Sequence, residues 1–154
     1  MSERSVTHAT FVLARVYDAT PARVFRAWSE TEAKQRWFAS EEGWELRSYD
    51  LDFRVGGREH AESIAPGGVD HRYDAIYQDI VPDIRIVSTY EMHLDGVRIS
   101  VSLATVELRP EGPGTRLVFT EQGAYLDGYD DAGAREQGTQ ELLDALGEEL
   151  SASR

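Results

Sequence analysis

The feature that most constrains the fold is a run of strand-like segments, separated by short turns and followed by a helical segment over about 132–151. Six segments rich in β-branched and aromatic residues fill the middle of the chain: 45–53, 57–64, 69–80, 84–93, 97–109 and 114–122. The breaks between them are rich in glycine and proline, and Asp95-Gly96 is the clearest turn signal. Breaks this short predict antiparallel hairpins, because a parallel connection needs a long crossover.

The N-terminal part of the chain supplies the remaining elements. Residues 8–17 form a seventh strand-like segment, and Thr20 followed by Pro21 is typical of a helix start. Ser29 and Glu32 fit a capping box for a second short helix that ends near residue 38. The order predicts an α+β fold of about seven antiparallel strands. A short helical hairpin follows the first strand, and one long helix covers the apolar face of the sheet.

Chain length and charge exclude several classes of function. A chain of 154 residues is about one domain long, so we expect a single domain over 1–154. The formal net charge of −12 argues against nucleic acid or an anionic membrane surface as a partner, because both require basic patches. No apolar run approaches the ~20 residues of a membrane span, and the N-terminus has no signal-peptide core. We therefore expect no membrane partner and a cytoplasmic location.

Composition also excludes much cofactor and nucleophile chemistry. The sequence has no cysteine, which removes disulfides, thiolate nucleophiles and cysteine-ligated metals. It contains no nucleophile elbow, phosphate-binding loop, dinucleotide fingerprint or zinc-protease motif, and we predict no cofactor. Lys34 is the only lysine among sixteen basic residues, which we interpret as a composition bias that says little about chemistry.

Alternation along the strands predicts which side chains face the interior. A change of parity after Ala104 predicts a bulge near 103–105. Phenols and a carboxylate on the predicted face indicate a pocket with polar anchors, although hydroxyls that reach the rim and a half-exposed Glu121 would give the same pattern. The predicted inner set is Tyr73, Ala75, Tyr77, Ile84, Ile86, Ser88, Tyr90, Met92, Val97, Ile99, Val101, Leu103, Leu117, Phe119 and Glu121.

Helical spacing predicts the stripe of the last helix that packs on the sheet: Gly138, Leu142, Leu146 and Leu150, with Leu143 and Ala145 beside it. A glycine within a helix lowers helix stability by ~1 kcal/mol relative to alanine, so its presence at position 138 requires an explanation. Close approach of a ligand to the helix backbone is one reason. Close packing on the sheet or a late helix start are the alternatives.

Several strings in a fixed order resemble one family. They are 19–28, 36–38, 52–58, 80–86, 114–123 and the glycine and leucine pattern of the last helix. Over about residues 8–150 they resemble the Hsp90-ATPase-activator-homologue-like branch of the START/Bet v 1 superfamily, whose members are also called SRPBCC proteins. The resemblance implies a helix-grip fold, in which a strongly curved antiparallel sheet wraps around the C-terminal helix. It also implies a cavity between them for a small hydrophobic or amphipathic ligand.

Two positions depart from what the resemblance implies. Relatives often have an aromatic residue after the Gly-Gly-Arg string and a tryptophan after the glycine of the last helix, where this chain has Glu59 and Thr139. Both departures predict a more polar or roomier pocket. The eukaryotic co-chaperone of this branch has an additional N-terminal domain that binds Hsp90. A chain of 154 residues has no room for that domain, so we do not expect a co-chaperone role.

The inner-face pattern and the resemblance together predict the ligand-binding residues Trp37, Phe38, Trp44, Tyr73, Tyr77, Ser88, Tyr90, Met92, Val101, Phe119, Glu121, Gly138 and Leu142. The aromatic residues at 37, 38 and 44 form either a mobile lid or a simple closure of the sheet end. Glu121 is the main candidate for catalysis, because a desolvated carboxyl has a raised pKa and serves as acid or base. A ligand anchor and an ion pair with Arg135 are the alternatives for this residue.

Two polar clusters favour no special chemistry. A hairpin between the third and fourth strands would place Glu62 near His71, with His60 diagonal to them. An exposed acid–imidazole pair explains this cluster, and we predict no metal site. On the predicted outer face, a solvated cross-strand network would join Glu91, His93, Arg98 and Ser100.

Three hypotheses for function follow. The first is a non-catalytic carrier or sensor of a small hydrophobic or amphipathic molecule. The second is an enzyme of the polyketide cyclase or dehydratase kind that uses Glu121 or Tyr90. The third is a protein-interaction module, either a homodimer or Hsp90-linked, that uses the sheet edge or the outer face.

Overall fold

One seven-stranded antiparallel sheet and three helices form the computed structural model, which describes residues 3–152. The strands are β1 (Val6–Tyr17), β2 (Glu45–Leu51), β3 (Arg58–Ile64), β4 (Asp70–Val81), β5 (Arg85–Leu94), β6 (Val97–Glu111) and β7 (Gly114–Leu126). The helices are α1 (Pro21–Ser29), α2 (Thr31–Phe38) and α3 (Ala132–Ala152). The sheet order is β1-β7-β6-β5-β4-β3-β2, so only the β1–β7 pair joins strands distant in sequence. The predicted α+β helix-grip fold and its helical hairpin are confirmed.

The helical hairpin starts as predicted but continues differently. The Thr20 hydroxyl accepts a hydrogen bond from the backbone N–H of Arg23 at 3.2 Å, which caps α1. The capping box predicted at Ser29 does not form, because Ser29 is the last residue of α1. Glu30 alone separates the two helices and precedes α2 without a side-chain cap. The hairpin is therefore tight, and it turns one side of each helix toward the core.

The C-terminal helix α3 packs on the core through a different stripe from the predicted one. Thr139, Leu143, Leu146 and Leu150 are its buried apolar or neutral positions. The predictions for Leu146 and Leu150 are confirmed, whereas Gly138 and Leu142 are only half-buried. The N-terminal half of α3 is thus rotated by about one residue, which leaves those two positions beside the pocket described below. Within residues 3–152, no helix is long and apolar enough to cross a bilayer.

The bulge in β6 lies nearer to the turn at Asp95 than predicted. Met92 pairs with Ser100 and His93 pairs with Arg98, so Ile99 is the extra residue. The predicted bulge near 103–105 is wrong, since the pairing runs without a shift from there to the end of the strand. Val101 is 39% exposed on the outer face. Val97 and Leu103 also lie outside the inner set, whereas the prediction for Ile99 is confirmed, since this residue is 3% exposed. The other inner positions of the strand are Ser100, Ser102, Ala104 and Val106.

The other strands mostly follow the predicted alternation. Ala75, Tyr77, Ile86, Ser88, Tyr90, Leu117, Phe119 and Glu121 are all buried. Ile84 is the exception, because it precedes β5 at the turn and is exposed. The alternative in which Glu121 is half-exposed at a strand end is wrong, since this carboxyl is 1% exposed. A polar group so deep in the core needs partners, and these define the site.

Candidate functional site

A pocket of about 1040 Å³ lies between the inner face of the sheet, the helical hairpin and α3. Most of the predicted binding residues line it: Trp37, Phe38, Trp44, Tyr73, Tyr77, Ser88, Tyr90, Met92, Phe119, Glu121, Gly138 and Leu142. Val101 does not, because the bulge at Ile99 turns it to the outer face. Twelve of the thirteen predicted residues therefore line this pocket, and their role in ligand binding stays a prediction.

A continuous row of aromatic rings forms one wall of the pocket. Neighbouring ring centroids are 4.7 Å apart for Trp28 and Trp37, 5.7 Å for Trp37 and Phe38, 5.0 Å for Phe38 and Tyr73, and 4.8 Å for Tyr73 and Tyr90. The indole N–H of Trp37 also donates a hydrogen bond to a backbone carbonyl of α1 at 2.8 Å. Because Trp37 is both buried and hydrogen-bonded, the geometry favours a fixed closure over a mobile lid at this residue.

A buried ion pair lies at the end of the pocket below the helical hairpin. The Lys34 ammonium donates a hydrogen bond to Oε1 of Glu59 at 3.0 Å, and the two residues are 2% and 1% exposed. Tyr77 donates to the same oxygen at 2.8 Å, and Tyr49 donates to Oε2 at 2.6 Å. Burial, followed by the negative charge of Glu59, raises the pKa of both phenols above the ordinary value. Both hydroxyls therefore keep their protons at neutral pH and satisfy the carboxylate.

Three aromatic rings surround the other sides of the Lys34 ammonium. Its Nζ lies 4.3 Å from the ring centroid of Phe38, 5.1 Å from that of Trp28 and 5.7 Å from that of Trp37. A cation over ring faces is attracted by the ring quadrupoles, most strongly where water is excluded. The only lysine of the chain is thus held between a carboxylate and an aromatic box at the pocket wall.

A second polar cluster occupies the opposite part of the pocket, where α3 begins. Tyr90 donates a hydrogen bond to Oε1 of Glu121 at 2.7 Å and accepts one from Nη1 of Arg135 at 2.8 Å. The same Arg135 nitrogen lies 3.5 Å from Oε2 of Glu121. Its Nη2 donates to Ser100 and to Asp130, each at 2.8 Å. The alternative that pairs Glu121 with Arg135 is therefore present in the structure.

The environment of Glu121 sets what this carboxyl can do. Burial raises its pKa above the ordinary value, and the Tyr90 hydrogen bond and the Arg135 charge oppose that rise. A carboxyl with a raised pKa in a pocket is a candidate for exchanging a proton with a bound molecule. The same hydrogen bonds hold it as a fixed anchor, so the geometry allows either an anchoring or a proton-transfer role.

Comparison with known protein families assigns the chain to a family. A family model described as Activator of Hsp90 ATPase homolog 1-like protein matches residues 18–151, which is most of the chain. The chain belongs to this family. Its described part, with the curved sheet around α3, is the architecture that the sequence resemblance implied.

Solved structures from bacteria show the same fold. An uncharacterized protein from Rhizobium leguminosarum is 51% identical, with 98% of this chain and 99% of that one covered and a TM-score of 0.94. A Rhizobium loti protein is 48% identical, with 94% and 99% covered and a TM-score of 0.87. A Chromobacterium violaceum protein is 28% identical, with 90% and 94% covered and a TM-score of 0.75. No curated protein matches the chain.

Gly138 faces open space in this member of the Hsp90-activator-homologue family. A methyl group added to Gly138 would meet no atom within 4 Å. The two structural alternatives for this glycine are therefore wrong, because it does not pack closely on the sheet and α3 already begins at Ala132. The open space over Gly138 belongs to the pocket.

The histidines do not form a metal site in the described part of the chain. Glu62 pairs with Arg72, and Ser63 pairs with His71, so the predicted proximity of Glu62 and His71 is wrong by one residue. His71 faces the pocket, and its ring lies 4.6 Å from that of Trp44. Residues 3–152 contain no group of three or more histidine, aspartate or glutamate side chains placed to hold a metal ion.

The outer-face network is smaller than predicted. Arg98 donates a hydrogen bond to Glu91 at 2.8 Å, and both side chains are exposed. His93 has no hydrogen-bond partner at Nδ1 within residues 3–152. His60, which belongs to the other predicted cluster, contacts Asp74, with 2.6 Å between Nδ1 and Oδ1. Ser100 does not join the network, because the bulge at Ile99 places it inside, where it accepts from Arg135.

The sequence analysis missed Lys34 and underestimated Glu59. Two signals pointed to them: Lys34 is unique in the chain, and Glu59 stands where the family resemblance led us to expect an aromatic side chain. Each signal was interpreted separately. A buried acid requires a buried cationic partner, and the one lysine among fifteen arginines stands in the helical hairpin next to the predicted pocket, so the two observations taken together were informative.

Proposed function

We propose that the protein binds one small hydrophobic or amphipathic molecule in the pocket between the sheet and α3. The observation that carries the proposal is the combination of an aromatic wall with a buried polar cluster at each end. Pockets for small molecules are concave, mostly apolar and equipped with a few well-placed polar groups. The volume of about 1040 Å³ suits a single ligand of drug-like size.

Native mass spectrometry of the freshly purified protein tests this proposal directly. We expect a bound small molecule that survives gentle ionisation, so that its mass appears as the difference between the intact complex and the bare chain. A chain that carries no bound molecule, and that takes up none from a panel of apolar and amphipathic compounds, would contradict the proposal.

Substituting Gly138 with leucine should block binding while the fold persists. The new side chain enters the open space over Gly138, and a leucine within a helix is favoured over glycine by about 1 kcal/mol. We expect at least about tenfold weaker ligand binding together with unchanged or increased thermal stability. Gln137→Leu is the matched control, because it adds the same side chain to an exposed position of α3. Equal binding by the two variants would place the ligand elsewhere.

The raised pKa of Glu121 favours proton transfer on the bound molecule as a second candidate function. In this case the protein acts as an enzyme of the cyclase or dehydratase kind, with Glu121 as the acid or base. The molecule identified by mass spectrometry is incubated with the wild-type protein and with the Glu121→Gln variant. Loss of water or cyclisation in the wild type alone supports catalysis, whereas an unchanged molecule in both samples leaves binding as the sole function.

A further inference from the structure

We propose that the Lys34 ammonium is the anchor for an uncharged carbonyl oxygen of the ligand. This inference rests on the proposed function, since it specifies the chemistry of the molecule that the same pocket binds. It is carried by the hydrogen-bond inventory of the two buried cations that line the pocket, Lys34 and Arg135.

The two cations differ in how many donors they have engaged. Arg135 is engaged on both terminal nitrogens: Nη1 donates to Tyr90, and Nη2 donates to Ser100 and Asp130. Lys34 carries three N–H bonds and has one oxygen acceptor, Glu59, among residues 3–152. Further contacts of this nitrogen are to the ring faces of the aromatic box. Among residues 3–152, Lys34 is therefore the buried pocket cation whose charged nitrogen has two N–H bonds without an oxygen acceptor.

Ring faces do not replace an oxygen acceptor. They attract a cation through their quadrupoles but provide no lone pair in the direction of an N–H bond. Nearly all buried donors of natural proteins are hydrogen-bonded. A donor without an acceptor either lowers the stability of the fold or has a function, such as binding a ligand. Lys34 lines the pocket together with Phe38 and Glu59, so its ammonium lies at the wall that a bound molecule would contact.

Charge balance selects the kind of acceptor. The Glu59 carboxylate, 3.0 Å from the Lys34 nitrogen, already neutralises the ammonium. A ligand carboxylate at the same nitrogen would add a second negative charge in a region with little water, where like charges repel strongly. A ketone, amide or ester oxygen brings lone pairs without a net charge. The site thus favours uncharged carbonyl compounds over acids.

The row of aromatic rings indicates what the rest of the ligand resembles. The rings of Trp37, Phe38, Tyr73 and Tyr90 run from the Lys34 site toward Arg135. An extended aromatic group packs against such rings better than a flexible chain, because offset and edge-to-face contacts add to the burial of apolar area. A flat aromatic ketone therefore combines both requirements.

A matched pair of probes tests the inference: 2-acetylnaphthalene and 2-isopropenylnaphthalene. The second replaces the carbonyl oxygen with a CH2 group and keeps the shape. Dissociation constants come from NMR titration of the indole N–H signals of ¹⁵N-labelled protein, since all three tryptophans line the pocket. We expect the ketone to bind about tenfold more tightly than the alkene, because a hydrogen bond to a charged donor is a strong one.

Variants locate the preference for the ketone. In Lys34→Met/Glu59→Gln, which removes both buried charges together, we expect the ratio of the two dissociation constants to fall to about one. Arg116→Met removes a cation from the exposed face of β7 and should keep the wild-type ratio. Equal binding of both probes by the wild type, or an unchanged ratio in the double variant, would overturn the inference and leave the proposed function intact. Failure of both probes to bind would count against the inference and the proposed function together.

Discussion

Replacing Lys34 with methionine should lower the free energy of unfolding by about 3–5 kcal/mol. Methionine has nearly the same length and packs against the aromatic box, so the lost volume is small. The loss comes from Glu59, which remains 1% exposed without the cation that neutralises it. Breaking a buried ion pair from one side costs more than the pair contributes, because an uncompensated charge stays in the core. Urea unfolding at fixed pH measures the effect.

Two further variants separate this cause from ordinary packing. The double variant Lys34→Met/Glu59→Gln removes both charges, while the glutamine amide still hydrogen-bonds to Tyr49 and Tyr77. We expect its free energy of unfolding to fall by only about 1 kcal/mol. Arg98→Met breaks the exposed pair with Glu91 and should cost less than about 1 kcal/mol. A single Lys34→Met variant as mild as Arg98→Met would show that water reaches Glu59.

The strand pattern was predictable because it depends on local alternation. In β5 and β7 the buried and exposed sides follow the period of two, so the inward direction of Tyr90 and Glu121 could be inferred from the sequence. The bulge in β6 could not be placed in this way. Val97, Ile99, Val101 and Leu103 alternate as an apolar set, but Ser100 faces inward, where it accepts a hydrogen bond from Arg135. That partner lies in another element, which a local pattern cannot show.

The rotation of α3 has a similar origin. Leu142 and Leu143 are adjacent and both apolar, so helical spacing alone cannot choose which of them packs on the core. Contacts from distant elements make the choice. Tyr17 in β1 donates a hydrogen bond to the Leu143 carbonyl at 2.7 Å, and Arg36 in α2 pairs with Glu149 at 2.7 Å. These contacts turn Gly138 and Leu142 toward the pocket.

The candidate site was predictable in its walls and not in its charges. Aromatic and apolar lining residues can be predicted from the alternation along each strand. The Lys34–Glu59 pair joins a helix to a strand 25 positions later, and no local pattern shows such a contact. A lysine on a short amphipathic helix is normally a solvated residue, since its ammonium is expensive to bury. Only the tertiary structure shows that β3 supplies the compensating carboxylate.

The Arg135→Met variant should lose stability in a pH-dependent way. Arg135 pairs with Glu121 and Asp130 and is hydrogen-bonded to Tyr90, so its removal leaves the deeply buried Glu121 without a cation. We expect the free energy of unfolding to fall by about 3 kcal/mol near pH 8. Asp130 keeps partial contact with solvent, with 18% of its side chain exposed, and contributes less to the loss.

The sign of the pH dependence follows from the Glu121 carboxyl. Burial raises its pKa in the folded state and Arg135 opposes the rise, so the variant raises that pKa further. A carboxyl with a higher pKa folded than unfolded binds its proton more tightly in the folded state. The contribution of Glu121 to stability is therefore fully present below its unfolded pKa and is lost as the pH rises through the folded pKa. The deficit of Arg135→Met relative to wild type should be smaller near pH 5 than near pH 8, and Arg135→Met/Glu121→Gln should remove most of this difference. Urea unfolding of the wild type, Arg135→Met, Glu121→Gln and the double variant at both pH values measures it. A deficit that is independent of pH would mean that Arg135 stabilises the fold through packing and not through the charge of Glu121.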